Sequence, residues 1–228
     1  ETGLFIRAEI GGDKPNAKLH IVVADPADGT IVADELLPAG MRKVRTEIAT
    51  RAEHLWSPND PYLYDVTATL EFGAAKSQGK QEKLQQESQE IQEKPAKSQE
   101  KQDIVRSYCA FRTVEIKPDL KGIARFHLNG KPVFLKGVLD QGYWPDGLLT
   151  APSDEALVHD ITAMKESGFT MLRKHIKIES ARWYYHCDRL GMLVWQDAVS
   201  GGGEYNAWAT NRKPTLMRAT WNKYRCLL

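Results

Sequence analysis

The sequence predicts a β-sandwich followed by the beginning of a parallel α/β domain. Residues 1–117 contain short segments that alternate or run apolar over strand length, separated by turns rich in Gly, Pro and Asp. Residues 118–228 contain three apolar runs, which are separated by two segments with helical periodicity. Strands and helices that alternate in this order form βαβ units, in which the strands pair in parallel.

Composition and charge limit the functional classes. The 228 residues include 31 Lys and Arg against 30 Asp and Glu, which predicts neither a nucleic-acid partner nor binding to a membrane surface. No apolar run is long enough for a membrane span, and no signal-peptide pattern is present. Cys109, Cys187 and Cys226 fit neither a metal-binding pair nor a disulfide framework, so the sequence favours reduced thiols and a cytoplasmic location. The oligomeric state is left open.

Six strands are expected in the first module, which is the number found in a small β-sandwich. Each is bounded by residues that favour turns, and we expect the module to have a structural role. The predicted strands cover residues 4–10, 18–26, 30–37, 43–50, 62–72 and 103–116.

A polar segment at 76–102 separates the last two of these strands. Its only apolar side chains are Leu84, Ile91 and Ala96. So little apolar surface cannot offset the entropy lost when the backbone is ordered, so a mobile insertion is predicted. Because Leu84 and Ile91 are seven residues apart, a solvated helical hairpin is the alternative.

The second module contains the parallel strands and two helices. Asn129-Gly130 predicts the turn of a short β-ribbon that precedes the first parallel strand. The parallel strands are predicted at 132–141, 169–175 and 192–197. The helices are predicted at 153–168 and 180–191, and each begins at a serine cap and ends at a glycine.

Polar residues stand at the end of every predicted parallel strand. The carboxyl ends of parallel strands lie at one edge of a sheet, and this edge is where such folds bind ligands. Hydrogen-bonding side chains and an indole that can stack on a ring are groups that recognise a polar organic ligand. The predicted substrate-binding residues are Asp140, Gln141, Arg173, His175, Trp195 and Asp197.

The helix at 180–191 offers a second set of candidate residues. Its aromatic residues 183–185 are predicted to cover the sheet. His186, Cys187 and Asp188 are of metal-ligand type, but consecutive residues of a helix do not face one point. No metal site is therefore predicted.

Several motifs resemble glycoside hydrolase family 2, the group of β-galactosidases, β-glucuronidases and β-mannosidases. HLWSPNDPYLY at 54–64 is similar to the family's end-of-sandwich segment, and LNGKPVFLKGV at 128–138 is similar to its entry into the catalytic barrel. GFTMLRKH followed by RWYYHCDRLGMLVWQD resembles the region of its first signature. Within that region, Thr170 stands where the family has Asn, and residues 176–178 replace His-Tyr-Pro.

The resemblance implies an immunoglobulin-like β-sandwich at 1–117 and, at 118–228, an incomplete (β/α)8 TIM barrel of about three strands. It implies part of a retaining, exo-acting β-glycosidase that hydrolyses O-glycosyl bonds of a carbohydrate substrate without a cofactor. The family's two catalytic glutamates follow the fourth and seventh barrel strands. No catalytic residue is therefore expected here, and the chain alone is expected to be inactive. The six predicted residues would line the sugar subsite.

Two other functions are compatible with the same residues. The chain could be a non-catalytic carbohydrate-binding or scaffold module, or a different βαβ enzyme that completes its sheet with another chain. Asp140 and Asp197 both stand at strand ends and could form a catalytic carboxylate pair, but the family resemblance argues against this role.

Overall fold

The structure is a computed structural model that describes residues 2–11, 16–40, 43–72 and 103–197. The predicted insertion at 76–102 lies outside the described residues, as does Cys226, whereas the strands on either side of the insertion are described. The chain divides into two compact units. The first comprises residues 1–52 and 64–109, and the second comprises residues 53–63 and the chain from Ala110 onward.

The described residues of the first unit form six antiparallel strands in two sheets. One sheet pairs β1 with β4, and the other has the order β3-β2-β5-β6. The strands are β1 (Thr2–Glu9), β2 (Lys18–Ala24), β3 (Ile31–Pro38), β4 (Lys43–Thr50), β5 (Tyr64–Glu71) and β6 (Asp103–Cys109).

Alternating burial explains why these segments are strands. In β2, Leu19, Ile21 and Val23 are buried while the residues between them are more exposed, as expected when successive side chains point to opposite faces. Strands of both sheets contribute buried apolar side chains, including Ile48 of β4 and Tyr64 of β5. Each of the six segments predicted as strands in this part of the chain contains a strand of the structure.

One predicted strand, 103–116, is wrong in its extent. The structure has two strands there, because β6 ends at Cys109 and β7 covers Val114–Pro118 in the second unit. Between them, the side chain of Phe111 is buried, and its carbonyl oxygen accepts a hydrogen bond of 2.8 Å from the Trp56 N–H. The chain thus leaves the first unit where the pattern of the sequence continues a strand.

Up to residue 197, where the described part of the chain ends, the second unit contains two three-stranded sheets and two helices. An antiparallel sheet has the order β7-β8-β9, and a parallel sheet has the order β10-β11-β12. Its remaining elements are β8 (Ala124–Leu128), β9 (Lys131–Pro132), β10 (Gly137–Asp140), α1 (Asp154–Glu166), β11 (Met171–Lys174), α2 (Ala181–Leu190) and β12 (Leu193–Gln196). Neither described helix has the length and apolarity needed to cross a membrane.

The start of α1 and the end of α2 follow the predicted caps, whereas Ser180 makes no side-chain cap hydrogen bond and the C-cap of α1 is Ser167 rather than Gly168. The Ser153 hydroxyl accepts a hydrogen bond of 3.3 Å from the Ala156 N–H at the start of α1. Gly191 ends α2 in the left-handed conformation, with φ 73°. A side chain at Gly191 would also lie 2.2 Å from the Pro58 carbonyl oxygen, so both backbone and space require glycine there.

The core of the second unit lies between the helices and one face of the parallel sheet. Val138 and Val194 pack against it from the neighbouring strands. The buried cluster comprises Leu157, Ile161, Leu172, Trp183, Tyr184, Cys187 and Met192. The first parallel strand is shorter than predicted, because residues 133–136 lie outside the sheet and Phe134 is 77% exposed.

Residues 53–63, which we call the Trp56 segment, form part of the second unit. Trp56 is fully buried, and its indole N–H donates a hydrogen bond of 2.7 Å to the Asp188 carbonyl oxygen. The Arg112 guanidinium lies 4.5 Å from the ring centroid, and the Asn129 amide donates to the Trp56 carbonyl oxygen at 3.0 Å. The segment is therefore anchored to α2 and to the start of the ribbon β7–β9.

Replacing Trp56 should destabilise the second unit strongly. Trp56→Ala leaves a cavity at a fully buried site, and we expect it to lower the free energy of unfolding by about 3–5 kcal/mol, measured by urea denaturation. Phe134→Ala is the control, because that side chain is 77% exposed and should change the free energy by less than about 0.5 kcal/mol. Equal effects of the two substitutions would contradict the anchoring role.

Stability should also depend on the protonation of His186, which is buried in α2. Burial is the main cause that lowers its pKa, and the charges of Arg189 and Arg182 lower it further, whereas Asp154 raises it. A pKa that is lower in the folded than in the unfolded chain means that folding favours the neutral ring. The stabilisation is therefore complete above the unfolded value of about 6.5 and is lost as the pH falls towards the folded pKa.

The test compares unfolding free energies at about pH 7.5 and about pH 5.5 in the wild type and in His186→Gln. Glutamine can still accept the hydrogen bond of 3.0 Å that Arg189 Nε donates to His186 Nδ1, but it does not titrate. We expect the wild type to lose more stability than the variant on acidification. A variant that loses as much as the wild type would rule out this contribution.

Candidate functional site

The register of the parallel sheet sorts its polar residues onto two faces. Successive residues of a strand point to opposite faces, and residues paired across the sheet share one. One row consists of Asp140, Lys174 and Gln196, and the adjacent row consists of Leu139, Arg173 and Trp195. The first row shares its face with Leu172 of the core, so we call this the helix face. The second row is about half exposed on the opposite face, which we call the open face.

A buried lysine is the centre of the helix face. Lys174 is 1% exposed, and its Nζ lies 2.8 Å from Asp140 Oδ1 and 3.2 Å from Glu179 Oε1. The same ammonium lies 4.1 Å from the centroid of the Trp183 ring. Burial removes the hydrating water from this charge, and the two carboxylates and the aromatic face compensate for the loss.

Glu179 extends this network to the loop after β10. Its Oε1 lies 2.7 Å from Lys177 Nζ, which donates to the carbonyl oxygens of Gly142 at 2.9 Å and Leu149 at 2.7 Å. Gly142 has φ 62°, and a side chain there would lie 2.1 Å from Glu179 Oε1. The loop can approach this closely because residue 142 is glycine.

Gln196 connects the third strand to the same network. Its amide oxygen accepts a hydrogen bond from the Tyr184 hydroxyl, and its amide nitrogen donates at 2.9 Å to the carbonyl oxygens of Lys177 and Asp197. The ends of all three parallel strands are therefore tied together. We call this set the rim network: Asp140, Lys174, Lys177, Glu179, Tyr184 and Gln196.

The open face carries an ion pair between neighbouring strands. Arg173 Nε and Nη2 donate to the two carboxylate oxygens of Asp197 at 3.2 and 3.0 Å. The hydrogen bonds and charge of Asp197 raise the pKa of the Arg173 guanidinium. Trp195 is 45% exposed and contacts Phe126 edge to face, with 5.8 Å between ring centroids. A planar fork of donors and an exposed indole are thus held side by side.

A second polar pair joins β10 and β11 beyond their last paired residues. Gln141 Nε2 lies 2.9 Å from His175 Nδ1. Gln141 directly follows Asp140, and His175 directly follows Lys174. Because Asp140 and Lys174 lie on the helix face, alternation assigns the two following residues to the open face. The next residue, Ile176, has φ 51°, a left-handed conformation that a β-branched side chain disfavours by about 1–2 kcal/mol.

The structure thus brings together five of the six predicted substrate-binding residues. Arg173, Trp195 and Asp197 lie at the carboxyl edge of the sheet on the open face, and alternation assigns Gln141 and His175 to the same face. Asp140 ends the same sheet but lies in the rim network on the helix face, where its carboxylate also accepts the Gly142 N–H at 2.9 Å.

The rim residues Lys174, Lys177 and Glu179 were not singled out by the sequence. The available signal was a lysine at an alternate position of a buried strand, which requires a carboxylate partner nearby. Trp183 and Tyr184 are buried against the sheet as predicted, while Tyr185 is 40% exposed.

In the described part of the chain, no three His, Cys, Asp or Glu side chains are grouped so that they could hold a metal ion. Cys187 is buried in the core, whereas the neighbouring carboxylate of Asp188 lies 3.8 Å from Arg112. Cys109 and Cys187 are free thiols, and burial raises the pKa of Cys109 to about 12.

Comparison with known proteins relates the chain to a group of glycosidases. No protein-family model matches it. It is 26% identical to β-mannosidase B of Aspergillus terreus over 96% of its length and 27% identical to a β-galactosidase of Oenococcus oeni over 86%. These matches span 23% and 17% of the two relatives, so the chain covers less than a quarter of their length.

Solved structures give the same relationship. A β-glucuronidase of Bacteroides uniformis superposes on 85% of the chain with a TM-score of 0.60 and 26% identity, and 21% of that enzyme is covered. A glycosyl hydrolase family 2 member from Bacteroides cellulosilyticus superposes on 84% with a TM-score of 0.60 and 24% identity, and 23% of it is covered. The resemblance predicted from the motifs is confirmed: along nearly its whole length, the chain is similar to part of the enzymes of glycoside hydrolase family 2.

Proposed function

We propose that the chain forms part of a retaining, exo-acting β-glycosidase that hydrolyses O-glycosyl bonds. The first module, 1–117, would be an immunoglobulin-like sandwich, and 118–228 would be the beginning of a (β/α)8 barrel. Relatives named as β-mannosidase, β-galactosidase and β-glucuronidase support this activity. The parallel order β10-β11-β12, with α1 and α2 packed on one face, supports the barrel.

The open face would form one side of the sugar-binding subsite. The observation that carries this proposal is the convergence of five polar or aromatic residues at the carboxyl edge of three parallel strands. In barrels this edge holds the ligand. The Arg173–Asp197 pair offers donors and acceptors for hydroxyl groups, and the half-exposed Trp195 offers an apolar surface for a sugar ring. Asp140 is not included, because its carboxylate is engaged by Lys174.

Bond cleavage would need groups beyond the open face. A retaining glycosidase uses two carboxyl groups about 5–5.5 Å apart, one as nucleophile and one as acid and base. Of the residues that we assign to the open face, Asp197 alone carries a carboxylate, and both of its oxygens accept hydrogen bonds from Arg173. The role of these residues would be to bind and orient the sugar rather than to react with it.

Sugar binding should be visible on the open face of the isolated chain. We expect methyl β-mannoside or methyl β-galactoside to bind with a Kd of about 1 mM or weaker and to shift the Trp195 indole N–H signal in 1H–15N spectra. The Trp56 indole provides an internal control, because it is buried and bonded to Asp188. Trp195→Ala should weaken binding roughly 2- to 10-fold through lost stacking.

Leu120→Ala is the matched control, since Leu120 is fully exposed in the turn between β7 and β8. It should leave the affinity unchanged. A titration in which neither methyl glycoside shifts the Trp195 signal, or in which both indoles shift alike, would contradict a sugar subsite at this face.

The isolated 228 residues should not hydrolyse nitrophenyl β-mannoside, β-galactoside or β-glucuronide. The physical reason is that the mechanism needs two carboxyl groups, whereas Asp197 alone supplies a carboxylate among the residues that we assign to the open face. Release of nitrophenol, followed by absorbance, is the measurement, and Asp197→Asn distinguishes a contaminant from the chain itself. Hydrolysis that this substitution abolishes would refute the proposal that the open face only binds.

A further inference from the structure

The contact between Gln141 and His175 determines where the imidazole carries its proton. The amide nitrogen Nε2 of Gln141 lies 2.9 Å from His175 Nδ1. An amide NH2 group is only a donor, so Nδ1 must accept. In a neutral imidazole one nitrogen donates and the other accepts, and the bond made by one nitrogen fixes the state of the other. With the Gln141 amide in this orientation, the proton of a neutral ring would lie on Nε2.

The backbone on both sides of this pair is held in place. The His175 N–H donates to the Asp140 carbonyl oxygen at 3.0 Å, which continues the ladder between β10 and β11 by one step. The Asp140 carboxylate accepts the Gly142 N–H at 2.9 Å and lies 2.8 Å from Lys174 Nζ. The rim network thus fixes the residues directly before and after Gln141 and the residue before His175.

We propose that Gln141 is a positioning residue that holds His175 as the neutral Nε2–H tautomer. The open face would then present an N–H donor from His175 next to the carboxylate acceptor of Asp197. His175 and Asp197 directly follow the neighbouring strands β11 and β12, and the Asp197 N–H donates to the Lys174 carbonyl oxygen at 3.1 Å. Neighbouring strands are about 4.8 Å apart.

A donor and an acceptor that project from neighbouring strand ends would suit one hydroxyl group. His175 Nε2–H would donate to the hydroxyl oxygen, while Asp197 would accept the hydroxyl hydrogen. Naming a sugar hydroxyl as the ligand group rests on the proposed function, whereas the tautomer itself does not. Gln141 would touch no substrate and would act only through the orientation and protonation of His175.

The tautomer can be observed directly in the 15N-labelled full chain. Long-range 1H–15N spectra at about pH 8 distinguish a protonated from an unprotonated ring nitrogen, and His175→Gln identifies the His175 signals by their loss. We expect unprotonated Nδ1 and protonated Nε2. A ring that carries its proton on Nδ1 would overturn the proposal, because the amide would then face it with oxygen.

Two substitutions test whether Gln141 causes this state. Gln141→Glu replaces the donor with a carboxylate acceptor and should move the proton to Nδ1. Gln141→Leu removes the partner and should give a mixture of tautomers. His20, whose Nε2 lies 2.7 Å from Asp34 Oδ1, should be unaffected in both variants. If the His175 ring signals of either folded variant match those of the wild type, the role of Gln141 is refuted. If neither variant folds, the wild-type spectrum alone decides the tautomer.

The same samples separate this inference from the proposed function. The expected tautomer without any shift on addition of methyl β-mannoside or methyl β-galactoside would retain the positioning role and contradict the sugar subsite. If the Trp195 indole signal shifts but the His175 proton lies on Nδ1, the sugar subsite would be retained and the positioning role of Gln141 contradicted. Where both hold, Gln141→Glu should weaken sugar binding at least as much as Gln141→Leu, because it turns the His175 Nε2 from a donor into an acceptor.

Discussion

The buried ammonium of Lys174 is the constraint on which the carboxyl edge of the parallel sheet depends. A charge with 1% exposure must be surrounded by compensating groups, and these come from the other segments that meet at the edge. Asp140 comes from β10, Trp183 from α2 and Glu179 from the connection between β11 and α2. Removing one partner would leave an uncompensated charge, so the lysine permits few other arrangements of these segments.

This constraint divides the polar residues of the edge between two tasks. On the helix face they are paired with each other and are therefore engaged in holding strand ends and the loop that contains Gly142 and Leu149. On the open face the side chains of Arg173 and Trp195 are about half exposed. The first set can rigidify the backbone from which the second set projects, and preorganised groups bind a ligand at a lower entropic cost.

Sequence patterns predicted the strands and helices well because their signals are local. The cap at Ser153, the stop at Gly191 and the alternation in β2 depend on residues close in the chain. The face on which Asp140 lies could not be derived in this way, because shifting a strand by one residue exchanges its faces. The pattern indicated a strand at 132–141, but pairing with β11 begins only at Gly137. The position of the Trp56 segment beside Asp188 likewise depends on contacts between residues 132 apart in sequence.

Ile176 shows how the two faces are joined by one stretch of chain. His175 belongs to the open face, whereas Lys177 and Glu179 belong to the rim network. If the strand continued, the side chain of Lys177 would point to the same face as that of His175, because the two residues are two positions apart. The left-handed conformation of Ile176 breaks this alternation at a cost of about 1–2 kcal/mol. The ion pair of Lys177 with Glu179 and the two carbonyl contacts of Lys177 offset that cost, so the strain lies where the chain passes from the open face to the rim network.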